Sequence, residues 1–539
     1  MSDAGSIASL KSVFYWNIKT YVMNLQSFIL SISVSVFSFS LNAQGLSETS
    51  QSQHAVMHDV PLGNVRWTDD FWGERFNVFS RTSVQSMWQT WQNPDISHGF
   101  RNFEIAAGDC EGEHWGPPFH DGDMYKWLEG MAAVYAVTKD AALDTIMDTF
   151  IDRVVRSQRA DGYIHTPVII KERNKRPSPS QQGRGEDTSA DEVGEGEGAW
   201  SGDSSPGVQG NSTPPSQEGA GGGSSAFSNR LNFETYNLGH LITAGIVHKR
   251  ATGKTTLFDC GVRAADFLYD FCQRAPEELA GNAICPSHYM AVAELYRETG
   301  NAKYLDLLRK FIDIRGMVQN GTDDNQDRDP FETQYEAMGH AVRSTYLYAG
   351  VADVMAEIGH KNADGHDWMA NLTSIWQDIV GRKMYITGGC GALYDGTSPD
   401  GTNYTPDSIQ KVHQSYGRPY QLPHSTAHNE TCANIGNMLF NWRMLEATAD
   451  AKYADLVENC FYNSILPGIS LKHLLEISRH PADEEIEEHR EHRHGDNEDE
   501  AHAHIDDEAH EDTEEHTERR SHRNPQQLLE GILKIGHIS

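Results

Sequence analysis

Glu430 and Cys432 stand two residues apart at the end of the polar, Pro-broken stretch Tyr420-QLPHSTAHNETCANIGN. A carboxylate and a thiol are both ordinary ligands for zinc, and a thiol held by a metal loses its proton and becomes a nucleophile at neutral pH. The spacing lacks the specificity of a paired C-x-x-C. The same residues therefore also fit a small buried thiol at the start of an apolar helix with an acid in its first turn.

Other residues of suitable chemistry recur along the chain. Asp121, Asp123, Lys126 and Trp127 in FHDGDMYKWLEG form a polar and aromatic cluster of the kind that lines a sugar pocket. Tyr236 and His240 lie in NFETYNLGHL, and His340 lies in EAMGHAVR. Both histidines follow a glycine, which lets another group approach the backbone closely, although two helix-buried histidines satisfied by their neighbours would look the same. Asp161, Gly162 and Tyr163 read as an inter-helix turn pointing into the same mouth.

The elements that must position these residues are helices. From about residue 125 to 468 apolar residues recur at three- and four-residue steps, as in MYKWLEGMAAVYAVT and HYMAVAELYRETG. A short hinge keeps returning: TKDAAL at 138, TGKTTL at 252, TGNAKYL at 299 and TADAKYA at 448. Each closes one amphipathic helix and opens the next, so the chain reads as a series of αα-hairpins. Strand-like alternation is scarce. An all-α toroid of paired helices follows, an (α/α)6 barrel over about residues 65–470 whose inner helices supply the pocket.

The words FHDGDMYKWLEG, RADGYIHTP, NFETYNLGHLITAG, EAMGHAVRSTYLYAG, RKMYITGG and YQLPHSTAHNETCANIGN, in this order, resemble the catalytic domain of glycoside hydrolase family 127, the β-L-arabinofuranosidases, and the related family 146. The resemblance implies the same barrel and a retaining hydrolysis in which a zinc ion is held by one Glu and three Cys. One of those Cys attacks the sugar, and a second Glu serves as acid and then base. Glu430 and Cys432 match the first Glu and the first Cys. The remaining Cys pair and the β-sandwich region of the family have no counterpart after Ser470. Gln414, sixteen residues before Glu430, stands where the pattern has the acid/base Glu, and an amide cannot deliver a proton; His413 beside it is a candidate substitute. His240 and His340 match the family's sugar-contacting histidines. The expected substrate is an arabinose-containing glycan. A non-catalytic sugar-binding or vestigial barrel is the competing expectation, because the Cys pair is missing and Gln414 replaces the donor.

Composition narrows the field further. A formal net charge of −33 argues against nucleic acid as a partner, since phosphate binding needs basic patches. Residues 20–47 carry no charge and include FILSISVSVFSFSLNAQ, which reads as a secretory signal ending near Ala43 and hence a secreted or periplasmic protein. Five serines between residues 28 and 40 argue against a membrane span. Seven scattered cysteines make no disulfide framework. Residues 177–225 contain no Leu, Ile, Phe, Tyr or Met and read as a disordered insertion. From 471 to 523 there are 19 acids against 7 bases with histidines interspersed, so 471–539 reads as an acidic tail. A zinc-buffering role for that tail ranks last among the functional readings.

Overall fold

The computed structural model describes residues 47–68, 70–175, 226–397 and 411–469. The expected leader, the 177–225 insertion and the 471–539 tail lie outside the described residues. Within them, helices dominate. The first, α1 (Asp70–Val78), passes through a π turn, Phe79–Ser83, into α2 (Val84–Gln92). They are followed by α3 (Gly99–Ala107), α4 (His120–Thr138), α5 (Ala141–Ser157), α6 (Thr166–Asn174), α7 (Glu234–Thr252) and α8 (Thr256–Arg274). The second half continues with α9 (Pro276–Asn282), α10 (Ser287–Thr299), α11 (Ala302–Asp313), α12 (Ala341–Ile358), α13 (Trp368–Asp378), α14 (Thr431–Thr448) and α15 (Ala451–Cys460).

Two rings result. The inner ring runs α2, α4, α7, α10, α12 and α14, each packed on the next, and the outer ring is α3, α5, α8, α11, α13 and α15. The all-α barrel of helix hairpins expected from the hinges is thus what the chain forms. Inner helices such as α12 and α14 are buried nearly all round, whereas α11 buries only Tyr304, Leu307, Leu308, Phe311 and Ile312. That is one stripe at three- and four-residue steps, as a helix facing water on its other side requires. Trp72 stacks on Phe461 at 5.5 Å, joining the last described turns to α1.

The four recurring hinges share one physical device. In each, the hydroxyl of Thr138, Thr252, Thr299 or Thr448 donates to the carbonyl four residues earlier and accepts the amide two residues later. The residue between is left-handed: Lys139, Gly253, Gly300 and Ala449. Asp140, Asn301 and Asp450 then cap the next helix, each accepting an amide two residues on at 2.8–3.1 Å. In TGKTTL the capping position is Thr255, which makes no such side-chain bond.

At the C-terminal ends of the inner helices lies a buried belt of charge. Arg297 of α10 pairs with Asp353 at 2.9 Å and Glu357 at 2.6 Å on α12, and with Glu294 on its own helix. Arg443 of α14 reaches Asp353 at 2.8 Å, and Arg250 of α7 reaches Glu294 at 3.1 Å and Glu298 at 3.0 Å. The sequence reading begins the domain near Val65, yet the segment from Ser47 also packs here. Glu48 N donates to Glu294 at 3.1 Å, Thr49 Oγ1 to Glu446 at 3.0 Å and Ser52 Oγ to Glu357 at 2.6 Å.

Replacing Arg297 with Met should cost about 3–5 kcal/mol in urea unfolding, because three carboxylates lose a buried partner; a loss below about 1 kcal/mol would remove the belt from this role. Burial pushes the Glu294 carboxyl up, but Arg297 and Arg250 outweigh it and hold its pKa at about 2. A folded pKa below the unfolded value means that the unfolded chain binds more protons in between. The Glu294 contribution should therefore be complete above the ordinary carboxylate pKa of about 4.5 and fade as pH falls toward 2. The Arg297→Met protein should show a flatter stability profile across that window.

Candidate active site

The functional side chains sit at the opposite end, where the N-termini of α4, α7, α12 and α14 converge. Glu430 is the N-cap residue of α14 and Cys432 its second residue. The Glu430 carboxylate and Lys126 of α4 both act on the thiol electrostatically. Burial is the largest influence and pushes Cys432 up to about 12, with Lys126 pulling down and Glu430 adding to the rise. In this arrangement the thiol keeps its proton at neutral pH.

Lys126 pairs with Asp123 at 2.9 Å, one helical turn earlier, and lies over the Tyr236 ring at 5.5 Å. Burial opposes its charge, but Tyr236, Asp123, Tyr346 and Cys432 together raise its pKa well above the usual value. Tyr236, on α7, packs edge-on against His240 at 4.5 Å, and His240 in turn faces Tyr346 of α12 at 6.2 Å. Gly239 makes this possible: a Cβ there would meet Ser287 Oγ at 2.3 Å, so α7 and α10 could not approach as they do.

His340 caps α12 and is 6% exposed. Burial and then the Arg343 charge hold its imidazole well below the ordinary value, with the Gln414 side chain acting in the opposite direction. Gln414 reaches it from a two-stranded antiparallel hairpin, β1 (Leu393–Thr397) and β2 (Lys411–Ser415), in register Leu393↔Ser415 and Asp395↔His413. The scarcity of strand pattern hid this element. Ser415 pairs with His340, and Gln414 itself is left-handed at φ 50°. His413 does not turn inward: it is exposed, 3.2 Å from Asp395 and packed on Tyr394. The residues just before β1 also position Glu430, because His428 N and Asn429 N donate to the carbonyls of Ala392 and Gly391 at 3.0 and 2.9 Å.

Several expected residues have other duties. Trp127 is 8% exposed, stacks on Trp88 at 5.0 Å and donates its indole N–H to Val84 O. Asp121 is buried and accepts from Thr166 N at 2.7 Å and Thr166 Oγ1 at 2.6 Å, so it ties α4 to α6 while Asp123 serves the mouth. In the expected mouth turn, Asp161 pairs with Arg159, Gly162 lies against the Arg263 carbonyl, and Tyr163 donates to Glu234. All three brace the turn and the start of α7.

The sequence reading missed Tyr346, Cys285, Arg343 and His428. Arg343 pairs with Asp324, and its charge opposes the burial that pushes the Cys285 thiol up; the Cys285 backbone is left-handed at φ 52°. His428 Nε2 lies 3.7 Å from Glu430 Oε2, too far for a hydrogen bond. Neither of those atoms makes a hydrogen bond to the protein, nor do His340 Nδ1 and Asn429 Oδ1. Position offered a signal for two of them: Arg343 follows His340 by three residues and His428 precedes Glu430 by two.

Among the described residues, no three His, Cys, Asp or Glu side chains are arranged to hold a metal ion. Glu430 and Cys432 supply two donors. Cys390 and Cys460 do not join them: Cys390 donates to Ala433 O, Cys460 to Gly388 O, and both are fully buried.

A family model described as β-L-arabinofuranosidase, GH127 catalytic domain, matches residues 64–494. The chain belongs to this GH127 family. The non-reducing end β-L-arabinofuranosidase of Bifidobacterium longum subsp. longum is 28% identical over 450 residues, covering 76% of this chain and 57% of the relative. A solved glycoside hydrolase is 56% identical with a TM-score of 0.59, covering 79% of this chain and 55% of its own. A solved GH127 β-L-arabinofuranosidase from Geobacillus stearothermophilus T6 is 28% identical with a TM-score of 0.58, covering 76% and 57%. This GH127 chain thus spans a little over half the length of the relatives it matches.

Native-state maleimide labelling followed by peptide mass spectrometry should modify Cys110 first and Cys432 more slowly, since both are only partly buried. Cys260, Cys390 and Cys460 should react only after denaturation. Labelling of Cys390 or Cys460 in the folded protein would reopen their membership of the site.

Proposed function

We propose that this chain binds the non-reducing β-L-arabinofuranosyl end of a glycan at the mouth of its barrel, as a glycoside hydrolase of weak turnover. The observation that carries the reading is the Glu430–Cys432 pair at the start of α14, under the influence of Lys126 where the inner helices converge, in a chain of the GH127 family. A thiol with an adjacent carboxylate is a nucleophile with a base in reach. Tyr236, His240 and His340 supply an aromatic edge and ring nitrogens for sugar hydroxyls. The zinc of the family pattern would draw on Glu430 and Cys432, but two donors do not make a structural or catalytic zinc site, and no step here depends on it.

Weak turnover follows from Gln414. It acts on His340 electrostatically, and its amide has no proton to give the leaving oxygen. Loss of a general acid typically removes about 100- to 10,000-fold in rate. The same residue favours a second reading, a barrel that binds the sugar without cleaving it. Export belongs to the first reading, supported by the uncharged apolar run before Ala43.

The deciding measurement is binding and hydrolysis of p-nitrophenyl β-L-arabinofuranoside with zinc and reductant present. The expected outcome is saturable binding, release of nitrophenol barely above background, and a gain with Gln414→Glu. Binding with no turnover in either protein would favour the non-catalytic barrel. Robust turnover abolished by Cys432→Ser would make Cys432 the nucleophile and overturn the weak-turnover reading, while absence of binding would remove the arabinoside altogether.

A further inference from the structure

At the Glu430 side of the mouth stands the β1–β2 hairpin, the one sheet among the described residues. Its base is tied to the site twice: Ser415 bridges His340, and the carbonyls of Gly391 and Ala392, just before β1, accept the amides of Asn429 and His428. Two residues beyond Ala392 the strand presents Tyr394, 53% exposed, beside the cross-strand pair Asp395 and His413. We propose that Tyr394, with Asp395 and His413, is the platform for the second sugar of the glycan, the ring whose hydroxyl carries the terminal arabinofuranose; the proposal rests on the arabinoside reading above.

The Tyr394 ring is fixed at the lip by two edge-on contacts. It meets His413 with ring centroids 4.5 Å apart at 76°, and His428 at 5.3 Å and 69°. His428 Nε2 in turn lies 3.7 Å from Glu430 Oε2, so one imidazole separates the platform from the carboxylate of the mouth. With the terminal furanose at Glu430 and Cys432, the next ring outward falls at Tyr394. An exposed aromatic in such a place could also meet a protein, and its flanks decide between the two. Protein interfaces gather apolar side chains at their centre and leave charge to the rim. Beside Tyr394 stand Asp395 and His413, whose side chains are 68% and 49% exposed. A sugar fits that combination, because its C–H face can lie on an aromatic ring while the hydroxyls at its edge need a donor and an acceptor. The Asp395–His413 contact, 3.2 Å, engages Oδ1 and Nδ1, and Oδ2 and Nε2 take no part in it. The carboxylate also selects the class of sugar, since it accepts from the hydroxyls of a neutral ring and repels a uronic acid.

The test measures binding of methyl 1-thio-β-L-arabinofuranoside to the full 539-residue chain by calorimetry, alongside S-linked disaccharides that carry the same terminal ring on each hydroxyl position of a second arabinofuranose in turn. The sulfur linkage resists hydrolysis, so binding alone is read. At least one disaccharide should bind about three- to tenfold tighter than the monosaccharide, the scale of one aromatic contact. Tyr394→Ala should erase that gain and leave the monosaccharide unaffected, whereas Tyr394→Phe should keep it. Asp395→Ala, a change to a side chain largely in water, is the second variant and should lower the gain about twofold or more. Equal affinity for all the compounds in the unaltered chain, or a gain that survives Tyr394→Ala, would overturn the platform while leaving the arabinoside reading intact. Should Tyr394→Ala lose the monosaccharide as well, Asp395→Ala decides, and an undiminished gain there overturns the platform. Binding of no compound would overturn both readings. Self-association in sedimentation that Tyr394→Ala abolishes would assign the ring to a second copy of the chain and overturn the sugar.

Discussion

Arg297 is the constraint on which the barrel depends. It ties α10 to α12 through Asp353 and Glu357, and its neighbours Arg443 and Arg250 extend the same network to α14 and α7. Four inner helices are therefore fixed to one another at their C-terminal ends. Desolvating so many charges costs several kcal/mol per ion and is tolerable only because every cation meets a carboxylate, Arg297 three of them and Arg250 two. What the belt contributes beyond stability is register, since helices pinned at one end must present their first turns together at the other. Glu430, Cys432, Tyr236, His240 and His340 all lie within the first two turns of such helices or at their caps.

Convergent N-termini favour negative charge, and the question is whether that favours a thiolate. Each helix end contributes typically about 0.3–1 kcal/mol toward an anion. Burial works the other way, lifting Cys432 from 9.0 to about 12, which amounts to about 4 kcal/mol against ionisation. Burial wins, even with Lys126 nearby. The mouth is thus an environment in which a thiolate needs a further cation beside Lys126.

Much of this was legible in the sequence. The Thr hinges announce themselves because one hydroxyl closes each helix and the following Asp or Asn opens the next, a local device that needs no tertiary context. The GH127 words carry the barrel and the mouth residues. What stayed hidden was set by distant partners. Lys411-Val-His-Gln-Ser415 has a single apolar residue, so no two-residue period marks it as a strand, and its partners, Leu393–Thr397 and the bridge to His340, are distant in sequence. Asp121 and Asp123 look equivalent in FHDGDMYK, but two residues turn a helix by about 200°, so one is buried against Thr166 and the other pairs with Lys126. The belt arginines escaped the sequence analysis because nothing local distinguishes a charge paired in the core from one in water.

The two ends of the barrel handle buried polarity in opposite ways. At the belt, the carboxylates of Glu294, Asp353 and Glu357 are each matched by an arginine or by the docked Ser47–Ser52 segment. At the mouth, His340 Nδ1, His428 Nε2, Asn429 Oδ1 and Glu430 Oε2 make no hydrogen bond to the protein. Such atoms cost about 1–3 kcal/mol each when desolvated without a partner, and folded chains rarely carry several together without a use for them. Left-handed Gln414, Asn429 and Cys285 lie in the same region, a concentration of backbone strain that the surrounding elements must hold in place. Stability is therefore concentrated at one end and spent at the other. A hydroxyl-rich ring entering the mouth would satisfy those atoms in exchange for its own hydration, so the unmet polarity at this end belongs to the architecture itself, whatever part Gln414 plays.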